Sequence, residues 1–166
     1  MIAPILALLI VSNPKADQKK GLPQKIADIP VGIEVHHNLD KVFATINDEY
    51  PARGGKYKWK YQTSVKAINE DLTIVEFGGY ILEDDKWVEK SIERRPFNNE
   101  EFQDWYNCPK GVLVKGVAFT DTDNWGTSNT LAGIDAKTLW YFIGINSENE
   151  RFVGYAELEM IGKLRE

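Results

Sequence analysis

The chain contains little sulfur and almost no histidine. Cys108 is the one cysteine among 166 residues, and the two histidines, His36 and His37, are adjacent. A single cysteine excludes an internal disulfide, so the fold must be held together by its apolar core. Adjacent residues of a strand point to opposite faces, so His36 and His37 could not both bind one metal ion in a regular strand. A blue-copper site requires a histidine soon after its cysteine, and none follows Cys108. These residues therefore predict no cofactor.

The sequence also lacks an excess of positive charge and any recognisable catalytic motif. Its 25 Asp and Glu outnumber its 20 Lys and Arg, for a net charge of −5, so we expect no nucleic-acid partner. There is no Gly-rich phosphate loop, no nucleophile elbow and no zinc-binding spacing. The acidic pairs at residues 84–85 and 100–101 fit a turn and a helix start. We favour a non-catalytic protein, with a hydrolase that uses an unrecognised carboxylate pair as an alternative.

An uncharged apolar run opens the chain at residues 2–11 and is followed by a polar stretch. Its length is typical of a secretory signal and too short for a comfortable membrane span. We therefore predict a signal or apolar leader at residues 1–16, export to the periplasm or the extracellular space, and no stable membrane span once the leader is removed. No basic residue precedes the run and the cleavage box is poor, so a strand of the fold or a membrane-surface anchor remains an alternative.

Strict alternation marks residues 56–67. One parity carries lysine and other polar residues, and the other is mainly apolar: Tyr57, Trp59, Tyr61, Thr63, Val65 and Ala67. This pattern predicts an antiparallel strand with one wet face. We interpret the lysine face as solvated, with a polyanion-binding stripe as the alternative.

A turn at residues 69–71 is expected to return the chain along a second strand at residues 72–82. This strand is apolar on both parities around Gly78 and Gly79. Such a strand is usually covered on both faces, and its glycines predict a bulge or the close approach of another backbone.

One short helix is indicated after Asn98, because Asn98 is a good N-cap and Glu101 completes a capping box. Its aromatic face, formed by Phe102, Trp105 and Tyr106, is expected to close one end of the core.

The remaining pattern is one of short strands and turns, which ends in a hairpin with arms at residues 138–145 and 151–161. We predict an all-β fold: an antiparallel, immunoglobulin-like β-sandwich of about seven strands with one short capping helix. A closed barrel is the main alternative. The sandwich occupies residues 31–166 as a single domain, and residues 17–30 form a linker.

The most suggestive local stretch is the polar segment at residues 121–135, which we interpret as the longest loop of the domain. Asp121, Asp123 and Asn124 fit an ordinary turn and fit a calcium loop less well, because Trp125 stands where an oxygen ligand is expected. In such a loop Trp125 either folds back on the sandwich or contacts a ligand.

These residues predict a binding or interaction module that holds a glycan or a protein partner through Trp125, Asp121, Asp123 and Asn124. A structural or assembly subunit is the alternative; it would pair through a sheet edge or through the apolar N-terminal segment. The sequence does not define the oligomeric state.

Overall fold

The computed structural model describes residues 21–52, 54–91 and 94–165. The predicted leader at residues 1–16 and the first part of the predicted linker lie outside these ranges. The described chain contains nine strands, two α-helices and a short 3₁₀ turn at Pro109–Gly111. The strands are β1 (Ile33–His37), β2 (Lys41–Ile46), β3 (Tyr57–Ala67), β4 (Leu72–Glu83), β5 (Lys86–Lys90), β6 (Val112–Leu113), β7 (Ala118–Ser128), β8 (Ala136–Ile145) and β9 (Arg151–Leu164); the helices are α1 (Gln24–Ala27) and α2 (Asn99–Tyr106).

All nine strands join in one curled, mixed sheet. The order along the sheet is β1-β3-β2-β9-β8-β4-β5, while β7 pairs with β3 and β6 pairs with β4. The strands pair antiparallel, except that β2 and β9 run parallel. The all-β class is therefore confirmed. The immunoglobulin-like sandwich of about seven strands is not confirmed, because the described strands form a single sheet of nine.

Strand β3 has the two faces that its alternation predicts. Trp59, Tyr61 and Val65 are buried on the concave side of the sheet, whereas Lys60 and Gln62 are exposed on the convex side. The aromatic stripe is thus part of the core.

The predicted pairing of β3 with β4 across residues 69–71 is wrong. Strand β4 pairs with β8, β5 and β6, and β3 pairs with β1, β2 and β7. The turn therefore carries the chain from one part of the sheet to another. The glycines of β4 do not form the predicted bulge, which lies between Ile74 and Glu76; at Gly78 the close neighbour is the ring of its cross-strand partner Tyr141, 3.1 Å from an added Cβ.

Helix α2 begins as the sequence predicts. The Asn98 side chain accepts a hydrogen bond from the Glu101 N–H at 3.0 Å, and the Asn98 N–H donates to the Glu101 carboxylate at 2.7 Å. Phe102 and Tyr106 are buried against Phe142, with ring centroids 5.6–6.0 Å apart. The helix thus closes one end of the concave face.

Residues 21–30, which the sequence analysis assigned to a linker, contain α1 and pack on the convex face. Ile26 is buried in a cluster with Leu139 and Tyr141, and Lys25 pairs with Glu76 while donating to the Tyr141 hydroxyl at 3.1 Å. This segment is therefore attached to the sheet. In the part of the chain that the structure describes, no helix has the length and apolar character needed to cross a membrane.

Candidate functional site: a cavity inside the curled sheet

A cavity of about 700 Å³ lies on the concave side of the sheet, between β7 and the β4–β5 hairpin. Helix α2 contacts both β4 and β7 and fills one end of the space between them. The other end stays open. Six strands and α2 contribute to its border, with residues that include Tyr61, Ile81, Lys90, Asn124, Trp140 and Trp105.

Two glycines leave room for this cavity. A Cβ added at Gly79 would meet nothing closer than 3.6 Å, and its nearest neighbours would be the Lys90 carbonyl oxygen and the Trp140 ring. A Cβ at Gly126 would meet the end of the flexible Met160 side chain at 2.9 Å. Glycine in a strand interior weakens the strand and marks a place where the backbone must be approached closely. Here the bare backbone forms part of the cavity wall.

Aromatic rings form most of the apolar wall. The Phe97 ring lies 4.6 Å from Trp105 and 6.4 Å from Trp140, measured between centroids. The Trp140 indole Nε1–H donates to the Tyr61 hydroxyl at 2.7 Å, which fixes both side chains. Burial raises the pKa of Tyr61 above its ordinary value, so this phenol stays protonated.

The polar side of the cavity comes from a β-bulge in β7. Thr63 pairs with Asp121, but Tyr61 pairs with Asn124, so three steps on β7 oppose two on β3. Residues three apart normally face opposite sides of a strand, and the extra residue places both Asp121 and Asn124 on the concave side. Both side chains are buried, at 8% and 6% exposure. The bulge thus brings a carboxylate and an amide to one wall.

The prediction that Asp121 to Gly126 belongs to a long loop is wrong, because these residues form most of β7. Their polar composition is typical of a turn, but the tertiary pairing with β3 overrides that local preference. Only the seven residues from 129 to 135 separate β7 from β8. The Asp123 N–H donates to the Asp121 carboxylate at 2.9 Å, so the turn-like bond survives inside the bulge.

Asp123 and Trp125 also border the cavity, but their charged group and ring are engaged with the lysine face of β3. Lys60 Nζ lies 2.6 Å from Asp123 Oδ1. Trp125 is the direct cross-strand partner of Lys60, and Lys58 Nζ lies 5.6 Å from the centre of its ring. The structure therefore brings Asp121 and Asn124 together inside the sheet and places Asp123 and Trp125 toward its convex side.

A buried polar chain lies behind Asn124. The Asn124 side-chain N–H donates to the Thr63 hydroxyl oxygen at 2.9 Å, and the Thr63 hydroxyl lies 3.0 Å from His37 Nδ1. His37 Nε2 lies 3.4 Å from the Ala156 carbonyl oxygen, which can only accept. Nε2 therefore carries the proton, and Nδ1 accepts from Thr63. Burial lowers the pKa of His37, which favours this neutral ring.

Asp121 is the acidic member of the same region. Burial raises the pKa of its carboxyl group, and the Asp123 N–H acts in the opposite direction. Tyr106, at the end of α2, is also buried nearby, and burial raises the pKa of its phenol, with a further increase from the charge of Asp121. The Asp121 carboxylate is thus in a poorly solvated position, where a charge is costly unless it is compensated.

The acidic residues of the turn at 84–85, the helix cap Glu101 and Cys108 have structural environments. Asp84 and Asp85 occupy the β4–β5 turn with φ of 47° and 59°, and Glu101 caps α2. Cys108 is buried, and burial raises its pKa to about 11. Within the described ranges, no group of three or more His, Cys, Asp or Glu is placed to hold a metal ion.

Several residues of the cavity were not recognised as functional from the sequence. Tyr61 was assigned to the core stripe, and Trp140 and Met160 to the C-terminal hairpin. The one available signal was Gly79, because a glycine pair inside an apolar strand marks space for another group.

No protein-family model, no curated protein and no solved structure matches this chain. Its function must therefore be inferred from the cavity itself.

Proposed function

We propose that this chain is a non-catalytic, exported binding module that takes a small, mainly apolar molecule into the concave side of its sheet. The observation that carries the proposal is the cavity of about 700 Å³ between β7 and the β4–β5 hairpin. Pockets for small molecules commonly measure 300–1,000 Å³ and combine apolar and aromatic walls with a few well-placed polar groups.

The rigidity of the wall supports this proposal. Tyr61 and Trp140 are linked by a hydrogen bond, and Phe97 is backed by Phe77, with ring centroids 5.2 Å apart. Side chains that are already fixed lose little conformational freedom when a ligand binds, so more of the contact energy appears as affinity. A preformed aromatic wall of this kind favours a flat or aromatic molecule.

The test fills the cavity from Gly79. The Gly79 backbone has no positive φ, and an added Cβ makes only ordinary contacts, so Gly79→Ala should fold normally and bind like wild type. Gly79→Leu places a larger side chain in the space that the ligand needs. We expect wild type to enhance the fluorescence of 1-aminoanthracene, a neutral aromatic probe, and Gly79→Leu to weaken its binding at least tenfold, about 1.4 kcal/mol.

Two controls make the result specific. Val75→Leu adds apolar volume to an exposed position on the same strand and should leave probe binding unchanged. Gln62→Ala changes an exposed side chain of β3 that does not border the cavity, and it should also leave probe binding unchanged. Unchanged binding by a folded Gly79→Leu variant, or no binding by wild type, would contradict the proposal.

The sequence-based alternatives make different predictions for the same variants. If Trp125 holds a glycan or protein partner, Trp125→Ala should lose capture of that partner while Gly79→Leu keeps it. An assembly subunit would show no dependence on the cavity, and its oligomeric state would change when a sheet edge is altered. A hydrolase would require turnover that is lost in Asp121→Asn.

A further inference from the structure

The polar wall of the cavity offers hydrogen-bond acceptors without a matching cation. Asp121 is buried, and its carboxylate accepts a hydrogen bond from the neutral Asp123 N–H at 2.9 Å. The charge of Lys60 lowers the pKa of Asp121, but the Lys60 ammonium itself lies 2.6 Å from Asp123 Oδ1. Among the described residues, Asp121 forms no ion pair. A buried carboxylate in that condition is stabilised by any cation that can reach it.

The Asn124 amide adds a second acceptor to the same wall. One of its two N–H donors is used on the Thr63 hydroxyl oxygen, and that hydroxyl in turn donates to the neutral His37 ring. This chain fixes the direction of the amide, so its carbonyl oxygen is presented away from Thr63. No described residue donates a hydrogen bond to that oxygen. The bulge of β7 therefore sets a carboxylate and an amide oxygen on one wall, both ready to accept.

The aromatic residues of the cavity also favour positive charge. Tyr61, Phe97, Trp105 and Trp140 border the cavity, and the faces of aromatic rings attract cations. Lys90 is the one lysine among the lining residues, and its ammonium lies 3.2 Å from the Glu83 carboxylate. Among the described lining residues the one lysine is therefore already paired, so an anionic ligand would meet the Asp121 carboxylate with little to offset it.

Resting on the binding function proposed above, we infer that the ligand is a small organic cation: a protonated amine carried on a flat apolar body. Its ammonium group binds Asp121 and Asn124, and its body lies against Trp140 and Phe97. A bare metal ion fits this site poorly, because hard cations need six or more oxygen ligands and the remaining walls are aromatic.

The test compares three probes that share one ring system. They are 1-naphthylmethylamine, which is cationic at pH 7, the neutral 1-naphthalenemethanol and the anionic 1-naphthoic acid. Their affinities for the full chain are measured by calorimetry. We expect the amine to bind at least tenfold more tightly than the alcohol, and the acid to bind most weakly.

Asp121→Asn keeps the shape of the side chain and removes its charge. It should weaken the amine at least tenfold and the alcohol less than threefold. Asp104→Asn removes the charge of an exposed carboxylate on α2 and controls for the change in net charge. It should alter neither affinity by more than twofold. If Asp121→Asn does not fold, the ratio of amine to alcohol affinity in wild type still decides the question.

The outcomes separate this inference from the function on which it rests. Equal binding of amine and alcohol would overturn the cationic ligand and leave the binding cavity intact. Tightest binding of the acid would do the same. Failure of all three probes, together with failure of 1-aminoanthracene, would overturn both.

Discussion

Replacing Trp59 by alanine tests whether the concave face is packed as the structure describes. The Trp59 side chain has no exposed surface and lies in a cluster with Val42, Ala44 and Leu158. Its indole N–H donates to the Ile161 carbonyl oxygen at 2.8 Å. The substitution therefore opens a cavity and removes the donor from a carbonyl group. We expect the free energy of unfolding to fall by about 3–5 kcal/mol.

Two further variants divide this loss into its parts. Trp59→Phe keeps an aromatic ring but leaves the Ile161 carbonyl without its donor, so it should cost about 2 kcal/mol. Gln62→Ala alters the same strand on its exposed face and should change stability by less than about 0.5 kcal/mol.

The measurement is urea unfolding at 25 °C, with the slope of free energy against urea compared between variants. An unchanged slope means that the variants differ in stability and not in the surface exposed on unfolding. A loss below about 1 kcal/mol for Trp59→Ala, with Gln62→Ala equally small, would show that the stripe on β3 does not form a packed core.

Two other predictions concern acid stability and export. Burial lowers the pKa of His37 from 6.5, so His37 takes up a proton in the unfolded chain before it does so in the folded chain as the pH falls. The free energy of unfolding should therefore decrease below about pH 6.5, by at most about 1.4 kcal/mol per pH unit. His37→Gln should flatten this slope in pH-dependent urea unfolding, while the exposed His36→Gln keeps it; equal slopes in both variants would refute the assignment. Expressed in a bacterium with its own N-terminus, the chain should be recovered outside the cytoplasm with an intact mass that lacks about the first 16 residues. A full-length cytoplasmic product would contradict export.

The sequence predicted local structure where the signal lies within one short segment or between adjacent segments. The alternation of β3 and the capping box of α2 are each contained within about a dozen residues. The C-terminal hairpin of β8 and β9 was predicted for the same reason, since its two arms adjoin in sequence. Alternation, however, predicts which face of a strand is buried and not which strand lies beside it. This is why β4 was expected next to β3 and is found next to β8.

The candidate site was predicted less completely. The sequence pointed to β7, and all four of the residues it selected border the cavity. Their conformation was mistaken because Asp, Thr and Asn in succession favour turns, and the hydrogen bonds that hold them extended come from β3, about sixty residues earlier in the chain. Of the four, Trp125 was given the leading role, but its ring lies against Lys58.

The bulge explains why Asp121 and Asn124 could not be selected as a pair from the alternation of polar and apolar residues. In a regular strand, Asp121 and Asn124 would face opposite sides of the sheet, so strand alternation alone does not place both at one site. A single extra residue in β7 reverses the parity between them and brings their side chains together on the concave wall. Bulges of this kind are common beside binding sites because they re-aim a side chain without disturbing the rest of the sheet. In this chain, then, the feature that hides the site from sequence analysis is the same one that gives the cavity its two acceptors.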